Sequence, residues 1–273
     1  MRTLERKVVV ITGAGSGIGR ALAIRAGGLG ALLALSDWDE EGLAETARLV
    51  RAGTDREVRT DHLDVRDRTA VNAYATSVRD ELGRVNVVVN NAGVALHGDL
   101  EEVSYDDFEW VIDIDLWGVV HGTKEFLPHL IASGDGHVVN ISSLFGLIGV
   151  AGQTAYNAAK FGVRGFTEAL RQELILAGHP VQVTCVHPGG IRTAIARNAR
   201  ATASHDRAEV ARHFDSRLAR TTAERAAEVI WAGVLADRPR ILVGPDARVL
   251  DLVARLVGAR YQRLLILAAR SRG

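Results

Sequence analysis

The sequence predicts an α/β fold: a single domain on a doubly wound, mainly seven-stranded parallel sheet with helices on its faces. Three observations lead there. Apolar runs of strand length recur without the polar alternation of a half-exposed sheet, which suits strands covered on both faces. Between them lie helix-length segments with apolar residues three and four apart, and alternating strand and helix means βαβ units. The 273 residues include only five Pro, with no internal repeat, low-complexity tract or Pro/Ser-rich linker, so the chain fits one large domain.

Taken in order, "KVVVIT" (7–12) is the first strand, and the Gly-rich "GAGSGIG" after it turns into the first helix. "ALLALS" (31–36) is the second strand, followed by a helix in "EEGLAETARLVRA" (40–52). "EVRTDHLDV" (57–65) is a weaker, more polar strand, and "RTAVNAYATSVRDEL" (68–82) is helical. "VNVVVN" (85–90), "HVVNIS" (137–142), "VQVTCV" (181–186) and "RILVG" (240–244) complete the strands, with "AYNAAKFGV" (155–163) reading as helix. This domain spans residues 1–245. Residues 246–273 form an amphipathic helical extension, with an apolar stripe of Val249, Leu252, Val253, Leu256 and Val257.

Composition narrows the function. The chain is 47% apolar and 24% charged, ample for a core and ordinary for a soluble protein. Lys plus Arg and Asp plus Glu both total 33, a balance that argues against bulk attraction to nucleic acid or to an anionic membrane. A single Cys, Cys185, allows no intramolecular disulfide, fits a reducing compartment, and reads as a buried structural thiol. "MRTLERKVVV" lacks a signal-peptide pattern, and "LLILAA" (264–269) is far short of the roughly 20 residues that span a bilayer. The expected location is the cytoplasm. Nine scattered His, without HExxH or a Cys cluster, give no readable metal site.

Chemistry concentrates at the strand ends. Gly13, Gly17 and Gly19 stand where a strand-to-helix turn needs tight curvature and close approach to a phosphate, and the helix N-terminus offers free N–H groups. No Lys-Ser/Thr follows the glycines, which argues against an ATP-binding loop. Asp37, 18 residues past Gly19, is placed for an adenosine ribose. "NNAG" (90–93), "NISS" (140–143) and "HPGGIRT" (187–193) end three further strands, on the side where open α/β sheets bind ligands. Tyr156 and Lys160, four apart on one helical face, are either a plain surface pair or a phenol held beside a cation.

TGxxxGxG, NNAG, a Ser thirteen residues before Tyr156, YxxxK and PGxIxT together resemble the short-chain dehydrogenase/reductase superfamily, over roughly residues 5–245. The resemblance implies a Rossmann-type domain and an oxidoreductase that interconverts a secondary alcohol and a ketone with NAD(P). It implies that Tyr156 is the acid–base, with Lys160 lowering its pKa, helped by the oxidised nicotinamide, and holding the nicotinamide ribose. Ser143 would hydrogen-bond the substrate oxygen. Residue order leaves Ser142 and Ser143 open, and the family spacing selects Ser143, with Ser142 a strand-end hydroxyl bonded to backbone. Asp64 and Val65 would contact adenine; Asn91, Ala92 and Gly93 would line the adenosine side; Ile191 and Thr193 would touch carboxamide and pyrophosphate. Ser16, Ile18, Pro188 and Gly189 would, by the same resemblance, belong to that cofactor surface. Asp115 stands where the family usually has an Asn in a proton relay through water to the Lys. It accepts from water but cannot donate when ionised, so a relay role and a purely structural one both stay open. A homotetramer or homodimer through helices at 106–133 and 154–178 is also implied.

NAD(H) is favoured over NADP(H), because the Asp37 carboxylate accepts from ribose hydroxyls and repels a 2′-phosphate, and Trp38 stands where NADP-preferring relatives often carry Arg. The segment 194–220 reads as a substrate lid. From Arg192 it has seven Arg against Asp206, Glu209 and Asp215, which suits either a solvated lid or recognition of a carrier phosphate. Leu96, Phe145, Leu147 and Ile148 offer apolar walls for the substrate, a small-to-medium apolar alcohol or ketone. The rivals are a 3-oxoacyl-thioester reductase and a non-catalytic dinucleotide-binding regulator. The extension 246–273 would pack on a second subunit, cap the pocket, or rest on a membrane surface.

Overall fold

In the computed structural model, which describes residues 1–206, 208, 209, 212 and 219–270 (the last three by backbone alone), the seven predicted strands form one sheet. The described strands are β1 (Val8–Thr12), β2 (Leu32–Asp37), β3 (Val58–His62), β4 (Val87–Asn90), β5 (Leu96–His97), β6 (Gly136–Ile141), β7 (Val181–Pro188), β8 (Ile191–Arg192), β9 (Arg200–Ala201), β10 (Thr221–Thr222) and β11 (Arg240–Val243). The main sheet has the order β11-β7-β6-β4-β1-β2-β3, every pair parallel. The α-helices with described bounds are α1 (Gly17–Gly28), α2 (Glu40–Arg51), α3 (Arg68–Leu82), α4 (Tyr105–Ile112), α5 (Gly118–Ala132), α6 (Thr154–Leu176), α7 (Ala223–Leu235), α8 (Pro245–Val257) and α9 (Tyr261–Arg270).

The absence of alternation in β1 has a direct structural cause. Val9 and Ile11 enter a core with Leu22, Leu33, Ile230 and Trp231, under α1 and α7. Val8 and Val10 enter the opposite core with Tyr74, Val88, Phe126 and Leu170, under α3, α5 and α6. Each such buried aliphatic side chain contributes about 1.5–3 kcal/mol relative to exposure. The Trp231 indole N–H, deep in the first core, donates to the Leu22 carbonyl at 3.1 Å, so its polar atom costs little there.

A buried amide ladder fixes the middle of the sheet. The Asn90 side-chain NH₂ donates to Thr123 Oγ1 at 2.9 Å and to Asn140 Oδ1 at 2.8 Å. The Asn140 NH₂ donates in turn to Thr167 Oγ1 at 3.0 Å. Two strands and two helices are thereby tied at the end of the sheet that carries the strand-end motifs.

The structure adds three features to the sequence reading. The helix expected over 106–133 is interrupted: α4 and α5 are joined by a π-helical turn over Asp113–Trp117, a local widening that turns Asp115 fully inward. The extension is two helices, because Gly258 takes a φ of +56 between α8 and α9. Within the lid, β9 pairs with β5 and β10 with β8; its residues 207, 210, 211 and 213–218, Asp215 among them, lie outside the described residues.

Candidate active site

Between β1 and β4 the chain's crossovers change direction, and the carboxyl ends of the strands form an accessible shelf there. The glycine turn builds one side of it. Gly13 takes a φ of +65 and Gly17 a φ of +54, in the left-handed region that favours glycine. A Cβ on Gly19 would fall 2.0 Å from the Gly13 carbonyl oxygen, so only glycine lets α1 start this close to the strand end. Ser16 caps α1 without a side-chain capping bond and is exposed. Thr193 lies across from the turn, its Cβ and Cγ2 each 3.1 Å from where a Gly17 Cβ would be.

The turn is held by side chains from two other strand ends, from the end of its own strand and from α1. Asp37 accepts from the Gly15 N–H at 2.6 Å and from the Asp39 N–H at 2.9 Å. The Asn91 NH₂ donates to the carbonyls of Thr12 and Gly13, both at 3.0 Å. Thr12 Oγ1 accepts from the N–H groups of Asn91 and Ala92, both at 3.1 Å. Arg20 is turned beneath the loop, bonded to the carbonyls of Gly15 and Gly42 and to Thr46 Oγ1. Asp64 is half-buried, and its ion pair with Arg66 holds its carboxyl below the usual range. Val65 is buried beside Gly118. Ile191 is buried with Pro188 and Gly190, and the Gly190 N–H donates to Asp246 at 2.6 Å. Gly189 would also place a Cβ on that carboxylate.

On the other side of the shelf, Tyr156 and Lys160 share the inward face of α6. Lys160 is buried, its ammonium 3.0 Å from Asp115 Oδ2, 3.4 Å from the Ile141 carbonyl, and 5.4 Å from the centre of the Tyr156 ring. The other Asp115 oxygen accepts from the Val94 N–H at 2.8 Å. Gly93 closes the group: a Cβ there would meet Asp115 and Lys160 at 3.3 and 3.4 Å.

The electrostatics differ from the simple expectation of a lowered phenol pKa. Burial pushes Tyr156 upward; Lys160 and a hydrogen bond from Ser143 oppose this, while the Asp115 anion adds to it. Burial also works against the Lys160 charge, but Asp115 and Tyr156 outweigh it and hold the ammonium above its ordinary pKa. Loss of hydration raises the Asp115 carboxyl against the pull of Lys160 and the Val94 amide. The cation nearest the phenol is thus partly neutralised by the residue that stands in the relay position.

The two serines stand in different surroundings. The Ser142 hydroxyl is buried and donates to the Lys160 carbonyl at 2.8 Å. Ser143 is half-buried, its Oγ accepting from the Phe145 N–H at 3.1 Å. Phe145 meets the Tyr156 ring edge-on at 6.1 Å, and Leu96 packs in the same small cluster as Tyr156. Leu147 and Ile148 belong to a neighbouring cluster that also includes Phe145. They pack with Leu144 under Leu250, Ala254, Tyr261 and Leu265 of the C-terminal helices.

Two structural contributors were missed at the sequence level. The Asn157 NH₂ donates to the carbonyls of Phe145 and Ile148 at 2.6 and 2.8 Å, and its Oδ1 accepts from the Val150 N–H at 3.0 Å. It therefore fixes the loop after Ser143. Tyr261 Oη accepts from the Gly149 N–H at 2.8 Å, bringing the extension onto that loop. The adjacency of Asn157 to Tyr156 was a usable signal; nothing local marked Tyr261.

Comparison with known proteins gives a consistent picture. The short chain dehydrogenase family model matches residues 7–204. The chain is 57% identical to the SadH protein of Mycobacterium tuberculosis over 265 residues, covering 97% of this chain and 96% of that one. It is 39% identical over 189 residues to meso-2,3-butanediol dehydrogenase of Serratia marcescens, covering 69% and 73%. A solved short chain dehydrogenase/reductase from Burkholderia phymatum in complex with NAD superposes with a TM-score of 0.85 at 31% identity, covering 98% and 97%. Among solved relatives, complexes with NAD and with NADP both occur.

Proposed function

Because the chain belongs to the short-chain dehydrogenase/reductase family, an oxidoreductase family acting on CH–OH or carbonyl groups with NAD(P), we propose that it interconverts a secondary alcohol and a ketone on a small-to-medium apolar substrate, with NAD(H) favoured. The observation that carries this reading is the half-buried Tyr156 over the buried Lys160–Asp115 pair beside Ser143, on the same shelf as the glycine turn.

A dinucleotide suits the shelf: glycines at 13, 17 and 19 let the turn pack closely on Ala92, Thr193 and the Gly13 carbonyl, where a Cβ would collide, and Ser16 lies exposed at the α1 N-terminus without a side-chain capping bond. Asp37, Asp64, Val65, Asn91, Ala92, Gly93, Pro188, Gly189, Ile191 and Thr193 would hold the rest of it, with Lys160 at the nicotinamide ribose. The cofactor supplies the hydride donor or acceptor. In alcohol oxidation Tyr156 Oη takes the hydroxyl proton, and in ketone reduction it returns one. Ser143 Oγ donates toward the same oxygen and supports its developing charge. Lys160 stabilises the phenolate, and Asp115, paired with Lys160, would accept from a relay water at the ammonium. Phe145 and Leu96 exclude water from the reacting carbon.

The proposed NAD preference rests on Asp37 and on Arg20 being occupied by the Gly15 carbonyl of the loop and the Gly42 carbonyl of α2 rather than facing a ribose phosphate. The thioester reading is less well supported: Arg192 donates to the Ala219 carbonyl, and Arg200 pairs with Asp107 at 2.7 Å and covers Trp110. A panel of free alcohols, ketones and acyl thioesters, followed by nicotinamide absorbance with each cofactor, tests the assignment. Turnover of thioesters above all free ketones would overturn it.

A further inference from the structure

We propose that α8 and α9 form an interfacial docking surface for an anionic lipid bilayer. The two helices have clearly different sides. Toward the protein, Leu250, Ala254, Tyr261 and Leu265 pack on Leu144, Leu147 and Ile148. Away from it, Val249, Leu252 and Leu256, spaced three and four apart, are 59%, 56% and 76% exposed; on α9, Leu264, Ile266 and Leu267 are 51%, 51% and 63% exposed. Six large apolar side chains turned to water on two adjoining helices form the kind of surface a folded chain ordinarily covers.

Charge identifies the occupant. The chain as a whole is neutral, but residues 252–273 carry Arg255, Arg260, Arg263, Arg270 and Arg272 with neither Asp nor Glu. The nearest acids, Asp246 and Asp251, are already engaged: Asp246 accepts from the Gly190 N–H, and Asp251 pairs with Arg255 at 2.9 Å and Arg240 at 3.9 Å. Arg248, Arg260 and Arg263 flank the apolar positions and make no ion pair among the described residues. A second copy of this face would bring arginines against arginines, since a two-fold contact pairs a surface with itself. Anionic headgroups satisfy the cations while the acyl boundary takes the leucines, as amphipathic interfacial helices require. No helix among the described residues is long and apolar enough to cross a membrane, so the segment lies on the bilayer.

The test uses the purified full chain and flotation with vesicles of phosphatidylcholine alone or mixed equally with phosphatidylglycerol. Binding is expected on the anionic vesicles, weakening with added salt. Arg260→Gln with Arg263→Gln should weaken it roughly thirtyfold, taking about fivefold for each cation at the surface. Leu252→Gln, Leu256→Gln and Leu267→Gln together should abolish it while leaving the circular dichroism, melting temperature and sedimentation of the free protein unchanged. Absence of flotation on anionic vesicles at low salt would overturn the proposal, as would equal flotation by the triple variant. A wild-type oligomer that the triple variant dissociates would assign the surface to a second copy and also overturn it.

Discussion

Lys160 has a carboxylate 3.0 Å away on one side and the Tyr156 ring on the other, so its charge is shared between two partners. Asp115→Asn keeps the shape and removes the anion that raises the Tyr156 pKa. The phenol should then ionise at lower pH, moving the alkaline-rising limb of kcat/KM for alcohol oxidation acidward by up to about one unit. An unmoved or alkaline-shifted limb would dissociate Asp115 from the phenol. Tyr156→Phe deletes the acid–base hydroxyl alone, and turnover should fall by about 10²–10⁴-fold with NAD affinity, measured by calorimetry, nearly intact. For Asp37, the proposed repulsion of a 2′-phosphate by its carboxylate should show as a kcat/KM preference for NAD of at least about tenfold. Asp37→Ala with Trp38→Arg should shrink or invert that ratio at physiological salt. These residues were legible because each sits in a local motif. The Thr12, Asn140 and Thr167 contacts were not, since each hydrogen bond joins positions far apart in sequence and neither partner is unusual by itself.

At the level of elements, strands were read well because burial on both faces leaves continuous apolar runs, and α3 was read to its ends because Asp67 caps it and Gly83 closes it. The π turn was invisible: apolar spacing in 105–132 continues through it, and one inserted residue changes the direction of Asp115 without changing composition. The β5–β9 pairing of the lid was equally hidden, two residues being too few for a pattern. The glycine turn is the element whose failure is easiest to read. Gly19→Ala forces a Cβ onto the Gly13 carbonyl, so the turn and the start of α1 must separate. Dinucleotide affinity should fall by more than about tenfold, since close backbone approach is what these glycines provide, while far-ultraviolet circular dichroism stays near wild type. Unchanged binding in a calorimetric titration would remove the turn from the cofactor site.

At the scale of the whole molecule, two imidazoles among the described residues are deeply buried, His137 on β6 and His187 on β7, with burial pushing each down to about 4. In the unfolded chain they titrate near 6.5, so between about pH 6.5 and 4 the unfolded state binds more protons. Their stabilisation is present above that window and is lost as pH falls through it, each imidazole steepening the loss by up to about 1.4 kcal/mol per unit. Thermal melts at descending pH should therefore drop steeply below 6.5, and His137→Gln should flatten the slope. A slope equal to wild type would place acid sensitivity elsewhere. The strand order has a different consequence, for synthesis. β1 lies mid-sheet between β2 and β4, yet β4 begins at Val87, well after β1 and β2 have been made. At roughly 5–20 residues per second, the nascent chain leaves one edge of its most apolar strand unpaired for on the order of several seconds. A ribosome stalled in that interval holds a half-sheet with Val9 and Ile11 open to other chains, and holdase chaperones should crosslink there until "VVVN" emerges.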